Sequence, residues 1–414
     1  MREMKDSGIE WIGEIPSDWG LSKIGAVYEE RNEKVSDADF PPLSVTKQGV
    51  VPQLETAAKT NDGENRKLVK KNDFVINSRS DRRGSCGISE YDGSCSLINT
   101  VLKPRRNMCN AYYSFVFRSE RFADEFYRWG NGIVDDLWST KWSNMKRIYI
   151  PAPSLQEQRR ITDYLDRKCS QIDAIIARQQ EVIEKLKAYK LSVITEAVTK
   201  GLNPNVPMKD SGVEWIGEIP SHWEILKLQA HTRMITPMRD RPEKLDGDIP
   251  WIRIEDYDGK YISASKEGLG VSMETVNEMN LKIYPVGSIL CTSSCDLGKC
   301  AIVTKELVSN QRFINIAPDS NTSSDYLYYL MLSNAERLNH LSTGTIQANL
   351  SRKEFEHLMV QFPTKLEQKE IAEYLDGKCR TIEFSIRKKQ ELVDKLIEYK
   401  KSIIYEIVTG KKEV

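Results

Sequence analysis

The sequence predicts an α+β fold in which two similar mixed α/β domains are separated by a pair of long antiparallel coiled-coil helices, with internal tandem pseudo-symmetry. A long stretch occurs twice, at residues 154–199 and 364–409, and the copies align without a gap at roughly half identity, as in a repeat protein. A shorter block at 4–19 returns at 208–223 with two positions changed. A variable region follows each block, so the whole chain is a tandem duplication.

Each long stretch has the pattern of one continuous helix. Apolar residues recur at steps of three and four, which places them on one helical face. Ser154 stands three residues before Glu157, and Thr364 three before Glu367, as in a capping box that starts a helix. A helix of about 45 residues is about 68 Å long and cannot bury such a face alone. We therefore expect the two copies to pack against each other antiparallel; the alternative is that each packs into its own globular domain.

The repeats divide the chain into four predicted segments: residues 1–153 with the first block and the first variable domain, 154–201 with the central long helix, 202–363 with the second block and the second variable domain, and 364–414 with the C-terminal long helix. Short strand-like runs separated by turn residues predict small mixed domains. At an offset of 214 residues, 73–77 aligns with 287–291. We expect one scaffold that carries two different surfaces.

Composition narrows the class of protein. The 414 residues contain 60 Lys and Arg against 60 Asp and Glu, so no large field of one sign is expected. The N-terminus lacks the pattern of a secretory signal, and no run of 18 apolar residues occurs. The eight cysteines are spread along the chain, which favours free thiols in a reducing cytoplasm.

No catalytic residue is predicted. The sequence has no GxxxxGK phosphate loop and no glycine-rich dinucleotide fingerprint, so an enzyme would need an unrecognised site. Cys291, Cys295 and Cys300 form the only cysteine cluster, and it lacks a fourth ligand at zinc-like spacing. We therefore predict no metal site. Lys190 and Lys400, beside the apolar helix faces, are expected to be solvated through their long stems.

Two polar loops follow equivalent strands and are candidates for binding DNA. The first variable region, 20–153, carries 21 basic and 17 acidic residues, and the second, 224–363, carries 15 and 18, so a nucleic-acid surface must be local. Either loop alone would be an ordinary polar surface, but their matched placement after the same strand supports binding equally well, so both interpretations stay open. Arg, Lys, Ser and amide side chains suit phosphates and base edges. The candidates are Ser78, Arg79, Ser80, Arg82, Arg83, Lys103, Arg105, Lys141, Ser293, Ser294, Lys299, Arg312, Gln347 and Asn349.

The whole layout resembles the specificity subunit of type I restriction–modification systems. The resemblance rests on the duplicated GxEWIGEIPxxW block, on the helix start EQxxIxxYLD in both copies, and on the run GTIQANLS at 344–351. The first variable domain departs from the last pattern, with Asp135, Asp136 and Trp138 in place of the polar run. That departure weakens the expectation of base contacts there.

The resemblance implies a non-catalytic DNA sequence-specificity subunit with two target-recognition domains, each reading half of a split, asymmetric DNA site. The helix pair would fix the gap between the halves and dock two methyltransferase (modification) subunits, joined by restriction/translocase subunits. S-adenosylmethionine, ATP and magnesium would be bound by those partner subunits, with no cofactor on this chain. The residues expected to contact partners are Glu157, Gln158, Tyr164, Glu367, Gln368, Tyr374, Trp11 and Trp215.

A second hypothesis is a coiled-coil tether that presents two protein-binding modules and has no role on DNA. The zero net charge and the acidic second domain favour it. It predicts that DNA binding is absent even when partners are present, whereas the specificity-subunit hypothesis predicts sequence preference in the assembled complex.

Overall fold

The computed structural model describes residues 2–54, 63–79, 82–132, 138–238, 240–294, 297–341 and 350–414. The chain forms two compact units. Unit 1 comprises Met1–Gln180 with Gln390–Val414, and unit 2 comprises Glu181–Lys389. Each unit therefore contains one block, one mixed domain and a segment of both long helices. The division of the chain at residues 153, 201 and 363 stays a prediction.

The elements of the first half of the chain are the strands β1 Met4–Asp6, β2 Glu14–Pro16, β3 Gly20–Lys23, β4 Tyr28–Glu30, β5 Lys34–Val35, β6 Leu43–Thr46, β7 Gly49–Pro52, β8 Arg66–Val69, β9 Phe74–Asn77, β10 Cys86–Ile88, β11 Gly93–Cys95, β12 Asn99–Pro104 and β13 Tyr149–Ala152, and the helices α1 Ile24–Val27, α2 Asn110–Arg118, α3 Glu120–Arg128, α4 Trp142–Met145 and α5 Leu155–Lys200. Its main sheets have the strand orders β10-β9-β12-β4 and β11-β8-β5, and β1–β2, β3–β13 and β6–β7 are two-stranded. The pairing is antiparallel throughout these sheets.

The elements of the second half are the strands β14 Met208–Asp210, β15 Glu218–Pro220, β16 Glu224–Lys227, β17 Thr232–Ile235, β18 Ile249–Ile252, β19 Tyr261–Ile262, β20 Gly270–Val271, β21 Ile289–Thr292, β22 Cys300–Val303, β23 Val308–Ser309, β24 Phe313–Pro318 and β25 Met359–Phe362, and the helices α6 Met273–Glu278, α7 Ser324–Ser333, α8 Ala335–Leu341, α9 Arg352–Glu356 and α10 Lys365–Val408. The main sheet has the order β17-β24-β21-β22-β19, beside β20-β18-β23. Strand β19 pairs parallel with β22, and β18 pairs parallel with β23. The block and the domain edge form the pairs β14–β15 and β16–β25.

The two long helices pack antiparallel within each unit, as predicted. In the core of unit 1, Ile161 and Leu165 near the start of α5 join Ile403 and Ile407 near the end of α10. In the core of unit 2, the end of α5 packs with the start of α10 in the same way. The apolar stripes are therefore buried by each other and by the mixed domains. Within the described residues, no helix is both long and apolar enough for a membrane span.

Two lysines beside the helical stripes are not simply solvated, which corrects the expectation from the sequence. Lys190 lies 2.5 Å from Glu383 in unit 2, and Lys400 lies 2.6 Å from Asp173 in unit 1. Each lysine stem runs along the helix pair, so its ammonium reaches a carboxylate on the facing helix. The pairs are related by the internal repeat, at an offset of 210 residues.

The strand pairing in the two mixed domains shows that the sequence alignment of 73–77 with 287–291 is off by one residue. Leu102 pairs with Phe74 in unit 1, whereas Ile316 pairs with Ile289 in unit 2. The offset between the repeats is thus 214 residues from β12 to β24 but 215 residues from β9 to β21. The alignment of 73–77 with 287–291, which assumes 214, is therefore wrong. The loop after β9 is one residue longer than its equivalent after β21. A one-residue shift moves every strand side chain to the opposite face, so the register decides which loop residues correspond.

Candidate nucleic-acid interface

An open groove of about 510 Å³ on unit 1 collects part of the predicted DNA-binding set. Three predicted residues line it: Ser78, Arg79 and Lys141. The other lining residues are Glu30, Asn32, Lys67, Leu97, Ile98, Thr100, Ser139, Trp142 and Ser143. The groove therefore combines cations, hydroxyls, an amide and an aromatic ring, the side chains that contact nucleic-acid backbone and base edges.

The groove forms because residues 139–143 run beside the end of β9. The backbone N–H of Thr140 donates to the Ser78 carbonyl at 2.9 Å, and Arg79 forms a β-bridge with Ser139. Strand β12 lies on the other side, where the Ser78 N–H donates to the Ile98 carbonyl at 3.3 Å. These bonds hold the exposed Arg79 close to Lys141, although about 60 residues of chain separate them.

The floor of the groove contains an ion pair that sequence reasoning missed. Lys67 of β8 is mostly buried, and its Nζ donates to the Asn99 carbonyl at 2.9 Å and lies 3.5 Å from Glu30 Oε1. Glu30 ends β4, the edge strand of the main sheet. The residues come from separate sheets, so no local motif could have identified them.

Arg82 and Arg83 follow Arg79 but differ from it in surroundings. Arg83 forms an ion pair with Asp124, and its guanidinium lies 4.8 Å from the centre of the Tyr127 ring. It borders a small cavity of about 20 Å³, which Ser78 and Arg79 also line, but it does not line the groove. Arg82 is exposed, and its carbonyl accepts a hydrogen bond from the Ser85 N–H at 3.0 Å. Arg83 is thus engaged within the domain.

Lys103 and Arg105 lie near the opposite end of β12 from the groove. Lys103 Nζ is 2.9 Å from Glu29 Oε1, and Arg105 Nη1 is 3.8 Å from Glu29 Oε2. The hydrogen bond from Lys103 and its charge lower the pKa of Glu29. The structure therefore does not bring these two cations together with Ser78 and Arg79.

Unit 2 repeats the backbone arrangement of the groove with different side chains. The Ser293 N–H donates to the Arg312 carbonyl at 2.8 Å, and the Leu350 N–H donates to the Ser293 carbonyl at 2.8 Å. Ser293 thus takes the place of Ser78, and Arg312 the place of Ile98. In this register Ser294 is the counterpart of Arg79. The shared backbone arrangement thus carries an exposed cation in both units, but at different places: Arg79 follows β9 in unit 1, and Arg312 precedes β24 in unit 2.

The remaining predicted DNA-binding residues have no shared site. Lys299 is exposed and borders a separate open cavity of about 490 Å³ with Tyr257 and Leu332. Ser80, Gln347 and Asn349 lie outside the described residues.

Two predicted partner-contacting residues are buried and have equivalent internal roles. Gln158 accepts a hydrogen bond from the Cys109 N–H at 2.9 Å and donates to the Pro153 carbonyl at 2.9 Å. Gln368 accepts from the Ser323 N–H at 2.8 Å and donates to the Pro363 carbonyl at 3.0 Å. Each glutamine therefore joins the start of a long helix to the start of α2 or α7.

The two glutamates next to these glutamines also bond to their own blocks. Glu157 lies 3.0 Å from Arg2, which precedes the first block and is paired at 2.6 Å with Asp18 in that block. Glu367 accepts from Trp223 Nε1 at 3.1 Å and contacts His222 Nε2 at 2.8 Å. These bonds fix each block on the start of a long helix.

The aromatic candidates differ between the repeats. Trp11 is buried and packs edge-on against Phe122 with ring centres 5.6 Å apart. Its counterpart Trp215 is 43% exposed, with Arg337 stacked 4.1 Å over the ring. On the long helices, Tyr164 is half-buried and Tyr374 is exposed. Exposed aromatic surface is therefore available at Trp215 and at the two tyrosines, but not at Trp11.

The described residues contain no group of three or more His, Cys, Asp or Glu side chains placed to hold a metal ion. Cys291 and Cys300 are directly opposite each other on β21 and β22, and both are buried free thiols. Burial raises the pKa of the Cys291 thiol well above its ordinary value. Cys295 lies outside the described residues.

Comparison with known proteins gives one consistent answer. Residues 16–185 and 224–393 each match the family described as the type I restriction modification DNA specificity domain. The MjaIX specificity subunit of Methanocaldococcus jannaschii is 33% identical over 187 residues, but the match spans only 44% of this chain and 43% of that protein. The putative MjaX specificity subunit of the same organism is 23% identical over 97% of this chain and 96% of that protein.

Solved structures agree in fold. A chain from a study of complex assembly and conformational transition of the type I R-M system superposes with a TM-score of 0.74 at 14% identity, covering 96% of this chain and 99% of that one. The HsdS subunit from Thermoanaerobacter tengcongensis gives a TM-score of 0.52 at 13% identity, covering 96% and 98%. The family matches cover more than half of the chain. The chain therefore belongs to the type I restriction–modification DNA specificity family, as a non-catalytic specificity subunit that is part of a type I complex.

Proposed function

We propose that each unit reads one half of a split, asymmetric DNA site, and that the paired helices set the gap between the halves. The observation that supports this most is the repeated frame around Ser78 and Ser293, which presents different side chains in the two units. One scaffold with two surfaces suits two unlike half-sites. Holding two readers on one rod raises the effective concentration of the second once the first is bound.

We also propose that the chain docks two methyltransferase subunits, one on each repeat, and that restriction/translocase subunits join that assembly. The duplicated blocks and helix starts offer two like surfaces to two like partners. Trp215, Tyr164 and Tyr374 carry the exposed aromatic part of these surfaces, whereas Gln158, Gln368 and Trp11 act by positioning. S-adenosylmethionine, ATP and magnesium would be bound by the partners, in the cytoplasm.

The decisive test is methylation mapping. The chain is co-expressed with its neighbouring methyltransferase in a host without DNA methylation, and modified adenines are located across the genome. We expect one motif with two short specific parts around an unspecified gap. An assembled complex that modifies no DNA and shows no sequence preference would contradict the proposal and favour a tether that holds two proteins.

Exchange of the first domain provides the matched control. Replacing residues 20–153 with the equivalent region of another family member should change one half of the motif and leave the other half and the gap unchanged. A change in both halves would show that the domains do not read independently.

The groove cations can be tested separately. Arg79→Ala and Lys141→Ala should each weaken binding of the assembled complex to DNA and lower the slope of log affinity against log salt by about one, because each contacts a phosphate. Lys103→Ala is the comparison, with a smaller effect because Glu29 already neutralises that ammonium. Equal effects at all three positions would argue against the groove as the contact surface.

A further inference from the structure

We propose that Glu30 is a specificity-determining residue of unit 1 that accepts a hydrogen bond from an exocyclic amino group of a base, and that Lys67 positions it. The inference rests on the proposed reading of DNA by the groove. It adds an acidic reader to a surface whose predicted members are cations and hydroxyls.

The first support is the place of the carboxylate. Among the described residues that line the groove, Glu30 is the only acid, and it stands with Asn32, Arg79 and Lys141. Its side chain is 24% exposed, so an outside donor can reach its oxygens. An isolated acid beside phosphate-binding cations opposes general affinity for DNA, which points to a role in selection between bases.

The second support is the way in which the carboxylate is held. Lys67 is only 11% exposed, and its ammonium lies 3.5 Å from Glu30 Oε1. A 2.9 Å hydrogen bond to the Asn99 carbonyl anchors that ammonium. Among the described residues, the contact with Lys67 is the one ion pair of the Glu30 side chain, and a single long contact leaves lone pairs of the carboxylate able to accept another hydrogen bond.

The chemistry of the major groove defines the ligand. The N4 amino group of cytosine and the N6 amino group of adenine donate there, whereas guanine and thymine present carbonyl acceptors at the equivalent edge. A carboxylate attracts the first two bases and repels the last two. Unit 1 therefore selects an amino-bearing base at one position of its half-site.

Neighbouring Glu29 provides a matched control. It precedes Glu30 on β4, bonds to Lys103 at 2.9 Å, and does not line the groove. Substitution of either residue by Gln removes one carboxylate charge from the same strand. A non-specific effect of charge would appear in both variants.

The experiment compares wild type, Glu30→Gln, Glu30→Ala and Glu29→Gln, each co-expressed with the methyltransferase and mapped for modified adenines. We expect both Glu30 variants to accept other bases at one position of the half-site that changes with residues 20–153. Discrimination there should fall by about tenfold or more, with the other half unchanged. Glu29→Gln should keep the wild-type motif.

Lys67→Met tests the positioning role through a second readout. In competition binding with oligonucleotides substituted at that one position, this variant should lose the same preference, because Glu30 is no longer held. Binding to unrelated DNA should fall only slightly, because one cation is removed from the groove. A purely structural role would instead lower thermal stability and weaken all DNA binding equally.

The outcomes separate the two proposals. A split wild-type motif that stays unchanged in both Glu30 variants overturns this inference and leaves the proposed function intact. Uniform loss of modification in the Glu30 variants, with the complex assembled, also overturns it. Absence of any wild-type motif counts against the proposed function itself.

Discussion

At the residue scale, buried polar side chains join each mixed domain to the long helices. Tyr112 donates its hydroxyl to the Val408 carbonyl of α10 at 2.8 Å in unit 1, and Tyr326 donates to the Val198 carbonyl of α5 at 3.5 Å in unit 2. Gln158 accepts a hydrogen bond from the Cys109 N–H at the start of α2 and donates one to the Pro153 carbonyl. Because a buried polar group without a partner is costly, these contacts fix the orientation of the elements they join.

Replacement of Gln158 by Ala should destabilise unit 1 by about 1–3 kcal/mol, since the Cys109 N–H and the Pro153 carbonyl lose their partner. The measurement is urea unfolding, together with hydrogen exchange of the peptide that spans 108–118. Exposed Gln156 is the matched control and should change little when replaced by Ala. Similar losses in both variants would contradict the capping role.

Buried thiols give unit 1 a pH dependence. Burial raises the pKa of Cys86 to about 12 and that of Cys95 to about 11, above the ordinary value of 9.0. The folded state therefore retains these protons more strongly than the unfolded chain. The associated stability is fully present below pH 9 and is lost as pH rises towards the folded-state values.

Under reducing conditions, the free energy of unfolding should fall between pH 8.5 and 10.5 by about 3–4 kcal/mol less in the Cys86→Ala, Cys95→Ala variant than in the wild type, because each thiol contributes about 2 kcal/mol over that range. The difference between the two proteins cancels the contributions of other titrating groups. Parallel curves would show that the two thiols do not contribute. Iodoacetamide should label both cysteines only after unfolding, since the thiolate is the reactive form.

At the element scale, the duplicated block shows how one short sequence can serve two environments. In unit 1 the buried Phe122 of α3 packs on Trp11. Arg337 instead stacks on Trp215 and leaves nearly half of its surface exposed. The helix that packs on the tryptophan, α3 in unit 1 and α8 in unit 2, decides whether the indole is buried or exposed.

Substitution of the two tryptophans should therefore have unequal effects. Trp11→Ala should cost about 3–5 kcal/mol because it opens a cavity against Phe122, whereas Trp215→Ala should cost about 1 kcal/mol or less. Thermal unfolding of the two variants measures the difference. If methyltransferase docks on the second block, Trp215→Ala should weaken assembly in a pull-down while the protein stays folded.

The helix pair also shows why its ion pairs are secondary. Lys190–Glu383 and Lys400–Asp173 are close, but both carboxylates are more than half exposed. Exposed pairs of this kind contribute about 0–1 kcal/mol each. The buried stripe, with Leu165 and Leu375 fully enclosed, supplies the main stabilisation through apolar burial.

At the scale of the whole molecule, the length of the helices should determine the gap in the DNA motif. Inserting seven residues after both Gln180 and Gln390 keeps the heptad register and lengthens the rod by about 10 Å, at ~1.5 Å per residue. With about 3.4 Å between successive base pairs, the unspecified gap should grow by about three base pairs. Methylation mapping checks this; an unchanged gap would contradict the spacer role.

Insertion into α5 alone is the control for that experiment. It displaces one apolar stripe against the other, so it should reduce the stability of the complex rather than yield a defined longer gap. Normal modification with the original motif would show that the helices do not set the spacing.

The sequence by itself determined the duplicated architecture, the two long helices and their antiparallel pairing. Helical periodicity, capping residues and repeats are local properties of the chain, and a continuous apolar stripe requires a partner of equal length. The starts of α5 and α10 after Ser154 and Thr364 follow from the same local signals. The family resemblance was likewise carried by short contiguous motifs.

Only the tertiary structure decided which side chains share a surface. Arg79 and Lys141 line one groove because a β-bridge joins distant loops, and Glu30 meets Lys67 because strands of two sheets converge. A one-residue difference in loop length shifted the strand register and so changed which residues correspond between repeats. Burial of Gln158 depends equally on packing between remote elements, and non-local contacts of this kind leave no periodic signal in the sequence.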